Sequence, residues 1–195
     1  MLPMLSLRSP LMALAALATM FALPGVASAS CPAVLDHEMT KLRSRDSVKL
    51  CEAYAGKPVL VINTASHCGY TPQFKGLEAL HQQYKERGLV VAGFPSDSFN
   101  QEANTAEKTA EVCYVNYGVT FDMYSEIPVK GGNAHPMFAQ LAAAKGAPRW
   151  NFNKYLIDSD GNVVARFDSN TRPDSAELRS AIEGVLAADQ SASIQ

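Results

Sequence analysis

Val59-Leu60-Val61-Ile62-Asn63-Thr64-Ala65-Ser66-His67-Cys68-Gly69-Tyr70-Thr71-Pro72 is the stretch that decides the fold. Its first four residues form a continuous apolar run, which predicts a buried strand. Thr71 suits a helix N-cap and Pro72 the first helical position. Phe74, Leu77, Leu80 and Tyr84 then recur at helical spacing, and Gly88 marks the C-terminal stop. Leu89 to Phe94 is a second apolar run. Strand, helix and strand at this spacing predict a right-handed βαβ unit with parallel strands. Cys68 therefore falls on a loop just ahead of a helix N-terminus, where backbone N–H groups and the helix dipole favour a thiolate. Gly69 beside it is expected to permit a positive φ.

Further along, a helix is expected from near Asn104, with Glu107 completing a capping box. Its apolar face comprises Ala106, Ala110, Cys113 and Tyr117. A short helix should follow Pro136, from Met137 to Ala144. Tyr155-Leu156-Ile157 and Val163-Val164-Ala165 flank Asp160-Gly161 and predict a hairpin. A last helix is expected from Asp174, with Glu177 at the capping-box position, burying Leu178, Ile182 and Val185. Asp46 to Leu50 belongs to an N-terminal hairpin extension. The order βα-βα-ββα is that of the thioredoxin-like fold, an α/β class with a central mixed sheet flanked by helices. In that topology the loops after Asn63, after Phe94 and before Lys154 meet at one edge of the sheet.

The remaining sequence divides the chain. Residues 1–29 carry one charge, Arg8, an apolar run from Leu11 to Leu23, then Pro24-Gly25 and the small-x-small pattern Ala27-Ser28-Ala29. This predicts a cleaved signal peptide, since a spanning helix needs roughly 20 apolar residues. Lipidation at Cys31 is disfavoured, because Ser28 stands where lipoproteins carry a large aliphatic residue. Residues 30–189 form one domain and 190–195 a polar, flexible tail. All four cysteines lie beyond residue 29, so the expected setting is oxidising, the bacterial periplasm. The full chain has 17 Lys+Arg against 19 Asp+Glu. That balance argues against nucleic acid as the main partner.

The three converging loops carry the chemistry. The first holds Cys68 without a Cys-x-x-Cys pair. The second is Gly93-Phe94-Pro95-Ser96-Asp97-Ser98-Phe99-Asn100-Gln101-Glu102, and the third Arg149-Trp150-Asn151-Phe152. Gln101, Trp150 and Asn151 each supply N–H donors, and a ring of neutral donors can hold a thiolate and a peroxide oxygen beside it.

At these positions the sequence resembles the glutathione peroxidase family. The matching stretches are Asn63-Thr-Ala-Ser-x-Cys-Gly-Tyr-Thr-Pro-Gln-Phe-Lys-Gly-Leu-Glu-Ala-Leu80, Gly93-Phe-Pro95 with Gln101-Glu102, Asn116-Tyr-Gly-Val-Thr-Phe121, Asn133-Ala-His-Pro136 and Trp150-Asn-Phe-x-Lys-Tyr-Leu156. They span roughly residues 45–189. The resemblance implies that Cys68 is the peroxidatic residue and that Gln101, Trp150 and Asn151 complete a catalytic tetrad. It implies reduction of hydrogen peroxide and organic hydroperoxides by a thiol, glutathione or a thioredoxin-like protein, in response to oxidative stress, with Cys68 passing through a sulfenic acid. No side chain in these motifs is fit to protonate the leaving oxygen, which points to a bound water. Relatives with a second cysteine carry it where Cys113 stands, which implies a resolving disulfide with Cys68. The short chain between Leu141 and Trp150 resembles the monomeric members.

The second loop departs from the family pattern. Ser96, Asp97 and Ser98 replace Cys-Asn-Gln, and the loop is one residue shorter before Gln101. Asp97 would oppose a thiolate if it faced Cys68, or else face solvent. Cys31 and Cys51 lie outside the catalytic motifs and are expected to form a structural disulfide. His67 is not expected to pair with Cys68, and His135 is read as packing. Arg149 is read as solvated. No metal and no cofactor are expected, since no Cys-x-x-Cys or His-x-x-x-His spacing occurs. Two rivals remain: a periplasmic thiol–disulfide oxidoreductase and a copper carrier of the same fold. The carrier normally needs a Cys-x-x-x-Cys, whereas here Gly69-Tyr70-Thr71 leads to Pro72.

Overall fold

The computed structural model describes residues 31–192, so the expected signal peptide and the last three residues lie outside the described residues. A five-stranded sheet has the order β5-β4-β3-β6-β7. Its centre is β3 (Val59–Thr64), with β4 (Val90–Pro95) parallel on one side and β6 (Lys154–Ile157) antiparallel on the other. β7 (Val163–Phe167) closes the predicted hairpin with β6, and β5 (Asp122–Met123) extends the β4 edge in parallel. This is the thioredoxin-like arrangement. β1 (Glu38–Thr40) and β2 (Ser47–Lys49) form a separate antiparallel ribbon, the N-terminal extension.

β3 alternates its side chains between two cores, as strand pleating requires. Leu60 and Ile62 join Phe74, Leu77 and Leu80 of α2 (Gln73–Tyr84) and Leu178, Ile182 and Leu186 of α5 (Ala176–Ala192). Val59 and Val61 join Leu50 and Tyr54 of α1 (Leu50–Tyr54) and Met137, Phe138 and Leu141 of α4 (Pro136–Lys145). Layers on both faces explain why β3 reads as an unbroken apolar run. Gly88 ends the turn after α2 at φ 99°. Gly93 of β4 lies against Met123, and a Cβ there would collide with the Met123 sulfur.

The helix starts shift by a residue. α3 (Ala106–Ala110) is capped by Thr105, whose hydroxyl accepts the Lys108 N–H, rather than by Asn104 with Glu107. At α5, Ser175 Oγ accepts the Leu178 N–H, while Asp174 pairs with Arg172. In both places a Ser or Thr immediately after the expected cap takes the role. Leu186 is buried in the α5 seam, with Val185 half-buried against the same core, and the helix continues to Ala192, into the segment read as a tail. α3 runs directly into a π-helical segment, Glu111–Asn116, that carries Cys113. No helix among the described residues is long and apolar enough to cross a membrane.

Cys31 and Cys51 are joined by a disulfide, with Cα atoms 5.6 Å apart. It ties the segment before β1 to α1. Pro32 then lies over the β6–β7 turn, where Gly161 at φ 86° leaves no room for a Cβ. Closing a loop of this length restricts the unfolded chain and contributes about 3 kcal/mol. A Cys31→Ser/Cys51→Ser variant is expected to lose about that much in urea unfolding under oxidising conditions. Adding a reductant should bring the wild type to the variant's midpoint.

Candidate active site

The three loops meet at the C-terminal edge of β3 and β4. Asn63, the penultimate residue of β3, organises the third loop. Its N–H donates to the Asn153 carbonyl and its own carbonyl accepts the Phe152 N–H at 2.6 Å. Its Nδ2 donates to the Trp150 carbonyl at 3.1 Å. Asn153 Nδ2 donates to the same carbonyl and to Ser169 Oγ, whose hydroxyl donates to the Asn151 carbonyl at 2.6 Å. Phe152 turns the chain at φ 62°. The backbone carbonyls of Trp150 and Asn151 are thus held by the side chains of Asn63, Asn153 and Ser169.

The first loop is folded by Thr71. Its hydroxyl accepts the Cys68 N–H at 3.0 Å and donates to the Ala65 carbonyl at 2.9 Å. Thr71 therefore shapes the cysteine loop instead of capping α2, whose start carries no side-chain cap. Cys68 Sγ receives the Tyr70 N–H at 3.4 Å and stands just ahead of the α2 N-terminus. Gly69 adopts no positive φ, contrary to expectation, and a Cβ there would meet open space. His67 is exposed and turns no donor toward Cys68; its backbone N–H donates to the Gln101 carbonyl at 2.9 Å. That bond docks the second loop beside the first.

Asp97 closes the shortened second loop. Its Oδ1 accepts the Glu102 N–H at 3.1 Å, its carbonyl accepts the Asn100 N–H, and Asn100 sits at φ 54°. Gln101 Oε1 accepts from Asn151 Nδ2 at 3.1 Å, which turns the Gln101 amide N–H₂ away from Asn151. Asn151 is fully buried, whereas Trp150 is 40% exposed and packs 5.2 Å from Phe99. So Gln101, Trp150 and Asn151 gather around the Cys68 loop. Among the described hydrogen bonds, none runs from these three to Sγ.

Cys113 is buried in the same core cluster as Cys68, and both are free thiols. Burial first, and then the Glu102 carboxylate, push the Cys113 thiol up to about 12. In this packing it stays a protonated thiol at neutral pH. A cleft of about 520 Å³ separates its segment from the cysteine loop, lined by Ser66, Cys68 and Gly69 on one wall and Val112, Asn116 and Tyr117 on the other.

Two buried ionisable groups escape sequence reading. Glu102 appears there as a neighbour of Gln101, yet it is 7% exposed and bonded to both the cysteine loop and α3. Lys154 opens β6 inside the core, fully buried. Its Nζ donates to Gln73 Oε1 at 2.6 Å and to the Thr171 carbonyl at 2.7 Å, which anchors the first residue of α2. Two neutral acceptors suit an uncharged amine, and burial lowers its pKa to about 7. The native state then sheds this proton near neutrality while the unfolded chain keeps it to about pH 10.4. Stability rises with pH wherever the unfolded state binds more protons. Relative to Lys154→Met, the wild type is expected to gain about 2 kcal/mol between about pH 7 and pH 9 in urea unfolding.

The remaining candidates are peripheral. His135 caps α4 through Nδ1, and its ring packs edge-on against His37. Arg149 is exposed, 3.8 Å from Asp168. No group of three or more His, Cys, Asp or Glu among the described residues could hold a metal ion.

Known proteins similar to this chain point to one family. A family model described as glutathione peroxidase matches residues 35–142. A glutathione peroxidase of Lactococcus lactis is 48% identical over 130 residues, covering 64% of this chain and 83% of that protein. A glutathione peroxidase-like peroxiredoxin of Schizosaccharomyces pombe is 47% identical over 137 residues, covering 67% of this chain and 85% of its own. Among solved structures, apo Trgpx superposes with a TM-score of 0.62 at 31% identity, covering 80% of this chain and 96% of that one. A cysteine loop ahead of α2, a docked glutamine loop and a sheet-held Trp-Asn pair thus sit on a chain that belongs to the glutathione peroxidase family.

Proposed function

We propose that this protein reduces hydrogen peroxide and organic hydroperoxides through Cys68 and resolves the product through Cys113. The observation that carries this reading is the shared cleft, with Cys68 on one wall and the Cys113 segment forming the other. The Cys68 thiolate attacks one peroxide oxygen and the O–O bond breaks. Cys68 becomes a sulfenic acid, and the departing oxygen takes a proton from water and leaves as water or alcohol. Gln101, Trp150 and Asn151 supply N–H groups to the thiolate and the developing oxyanion once peroxide is bound. Cys113 then displaces the sulfenic oxygen as water, giving a Cys68–Cys113 disulfide.

That step requires the two cysteines to approach to Cα distances of roughly 4.4–6.8 Å. The π-helical segment is suited to open. π-helical turns are rare and concentrate at functional sites, and Tyr114, Val115 and Asn116 are exposed. An intramolecular disulfide is then reduced by a dithiol protein, so a thioredoxin-like donor is favoured over glutathione. The Cys31–Cys51 disulfide supports an exported protein working in an oxidising compartment. We further take it to act as a monomer.

The test is peroxide consumption by purified protein with hydrogen peroxide or cumene hydroperoxide, comparing glutathione with thioredoxin-like proteins. Turnover faster with a thioredoxin-like donor supports the reading. Disulfide exchange with protein substrates, without peroxide turnover under any donor, would favour a thiol–disulfide oxidoreductase instead.

A further inference from the structure

We propose that Glu102 is the proton acceptor for Cys113 in the resolving step. The inference rests on the reading of Cys113 as the resolving thiol. Glu102 joins the two halves of that step. Its Oε1 accepts from Ser66 Oγ, two residues before Cys68, and from Thr109 Oγ1 at 3.0 Å. Thr109 precedes Cys113 by four residues, on the buried side of one continuous helical segment. Oε1 also accepts the Ala103 N–H at 2.7 Å. Three donors on one oxygen provide what a buried carboxylate anion requires. The other oxygen, Oε2, is buried with no hydrogen-bond partner among the described residues. A carboxylate oxygen kept dry and unpartnered is costly to maintain, and its charge, which acts on the Cys113 thiol, gives it a use when that thiol must lose its proton.

The step balances without an outside reactant. Cys113 gives its proton to Glu102 Oε2 and its sulfur attacks the Cys68 sulfenic sulfur. The S–O bond of Cys68 breaks and the S–S bond forms. The expelled hydroxide takes the proton back from Glu102 and leaves as water. Without an internal base, a thiol buried this deeply presents almost no thiolate at neutral pH.

The experiment is a single turnover of the reduced, full-length protein with one equivalent of hydrogen peroxide. Sulfenic acid at Cys68 and the Cys68–Cys113 disulfide are followed separately by quenching and mass analysis. Glu102→Gln keeps the shape and an Oε1 acceptor but removes the base. Sulfenic acid is expected to form within about twofold of the wild-type rate, and the disulfide at least about 100-fold more slowly, so that sulfenic acid accumulates. Thr109→Val removes one hydrogen bond and keeps the carboxylate, and should form the disulfide within about threefold of wild type. Disulfide formation at the wild-type rate in Glu102→Gln would overturn the proposal. So would an equal slowing of both steps, or a loss in Thr109→Val as large as that in Glu102→Gln. If Glu102→Gln does not fold, Glu102→Asp carries the test, since it retracts the carboxylate by one methylene. Disulfide formation slowed about tenfold or more with normal sulfenic acid formation supports the role, and an unchanged rate overturns it. A wild type that forms sulfenic acid but never this disulfide removes the resolving reading itself, which the wild-type trace alone reveals.

Discussion

Replacing Cys68 with serine is expected to lower peroxide turnover at least about 1,000-fold with every donor. The reason is the nucleophile. A thiolate attacks the weak O–O bond, and a neutral hydroxyl at the same place does not. The helix N-terminus ahead of which Cys68 stands cannot make a serine alkoxide at neutral pH. The substitution is otherwise mild. Serine keeps an acceptor for the Tyr70 N–H, and the loop is shaped by Thr71 through the backbone of residues 65 and 68, not by Sγ. The stability change should stay within about 1 kcal/mol. A wild-type thermal midpoint with no turnover therefore assigns the loss to chemistry. Retained turnover would mean that Cys68 is a buried small residue and the reacting group lies elsewhere.

The second large effect is at Cys113. Cys113→Ala is expected to leave the first oxidation of Cys68 intact and to cut thioredoxin-driven turnover about 100-fold or more, for want of the disulfide the donor reads. Cys68 should then be carried on by further peroxide to sulfinic acid. Cys113 is 1% exposed, so the truncation also removes packing and should cost about 1 kcal/mol. That cost shifts unfolding but not the first oxidation, and so the two roles separate. Unchanged thioredoxin-driven turnover would make Cys113 a core residue and nothing more.

Much of this was legible where local pattern and final structure coincide. The apolar run of Val59 to Ile62 and the helical spacing of Phe74, Leu77, Leu80 and Tyr84 specify the βαβ unit that brings Cys68 to the sheet edge. What escaped reading depends on partners distant in sequence. Thr71 has the composition of a cap, but the loop's Ala65 carbonyl and Cys68 N–H claim its hydroxyl. Asn104 and Asp174 look like caps, yet Thr105 and Ser175 next to them make the bonds. β5 is two residues long, too short to show any alternation. The π-helical segment around Cys113 is a matter of backbone hydrogen bonding that residue spacing does not report, and Ala106 of the expected apolar face is exposed. Nothing in the spacing singles out Glu102 or Lys154, and their burial follows from packing between segments distant in sequence. Asp97, ambiguous by composition, is exposed and closes a loop one residue shorter than the family pattern.

The bond that forms after one peroxide is consumed decides whether Cys68 and Cys113 act as a pair. Reduced full-length protein is treated with one equivalent of hydrogen peroxide, quenched and digested without reductant, and its cross-linked peptides are sequenced by mass spectrometry. The prediction is a new peptide pair joining Cys68 to Cys113, with Cys31–Cys51 found in the oxidised starting material and outside this exchange. Oxidation that leaves Cys68 untouched, or that drives it to sulfinic acid with Cys113 still a free thiol, would contradict it.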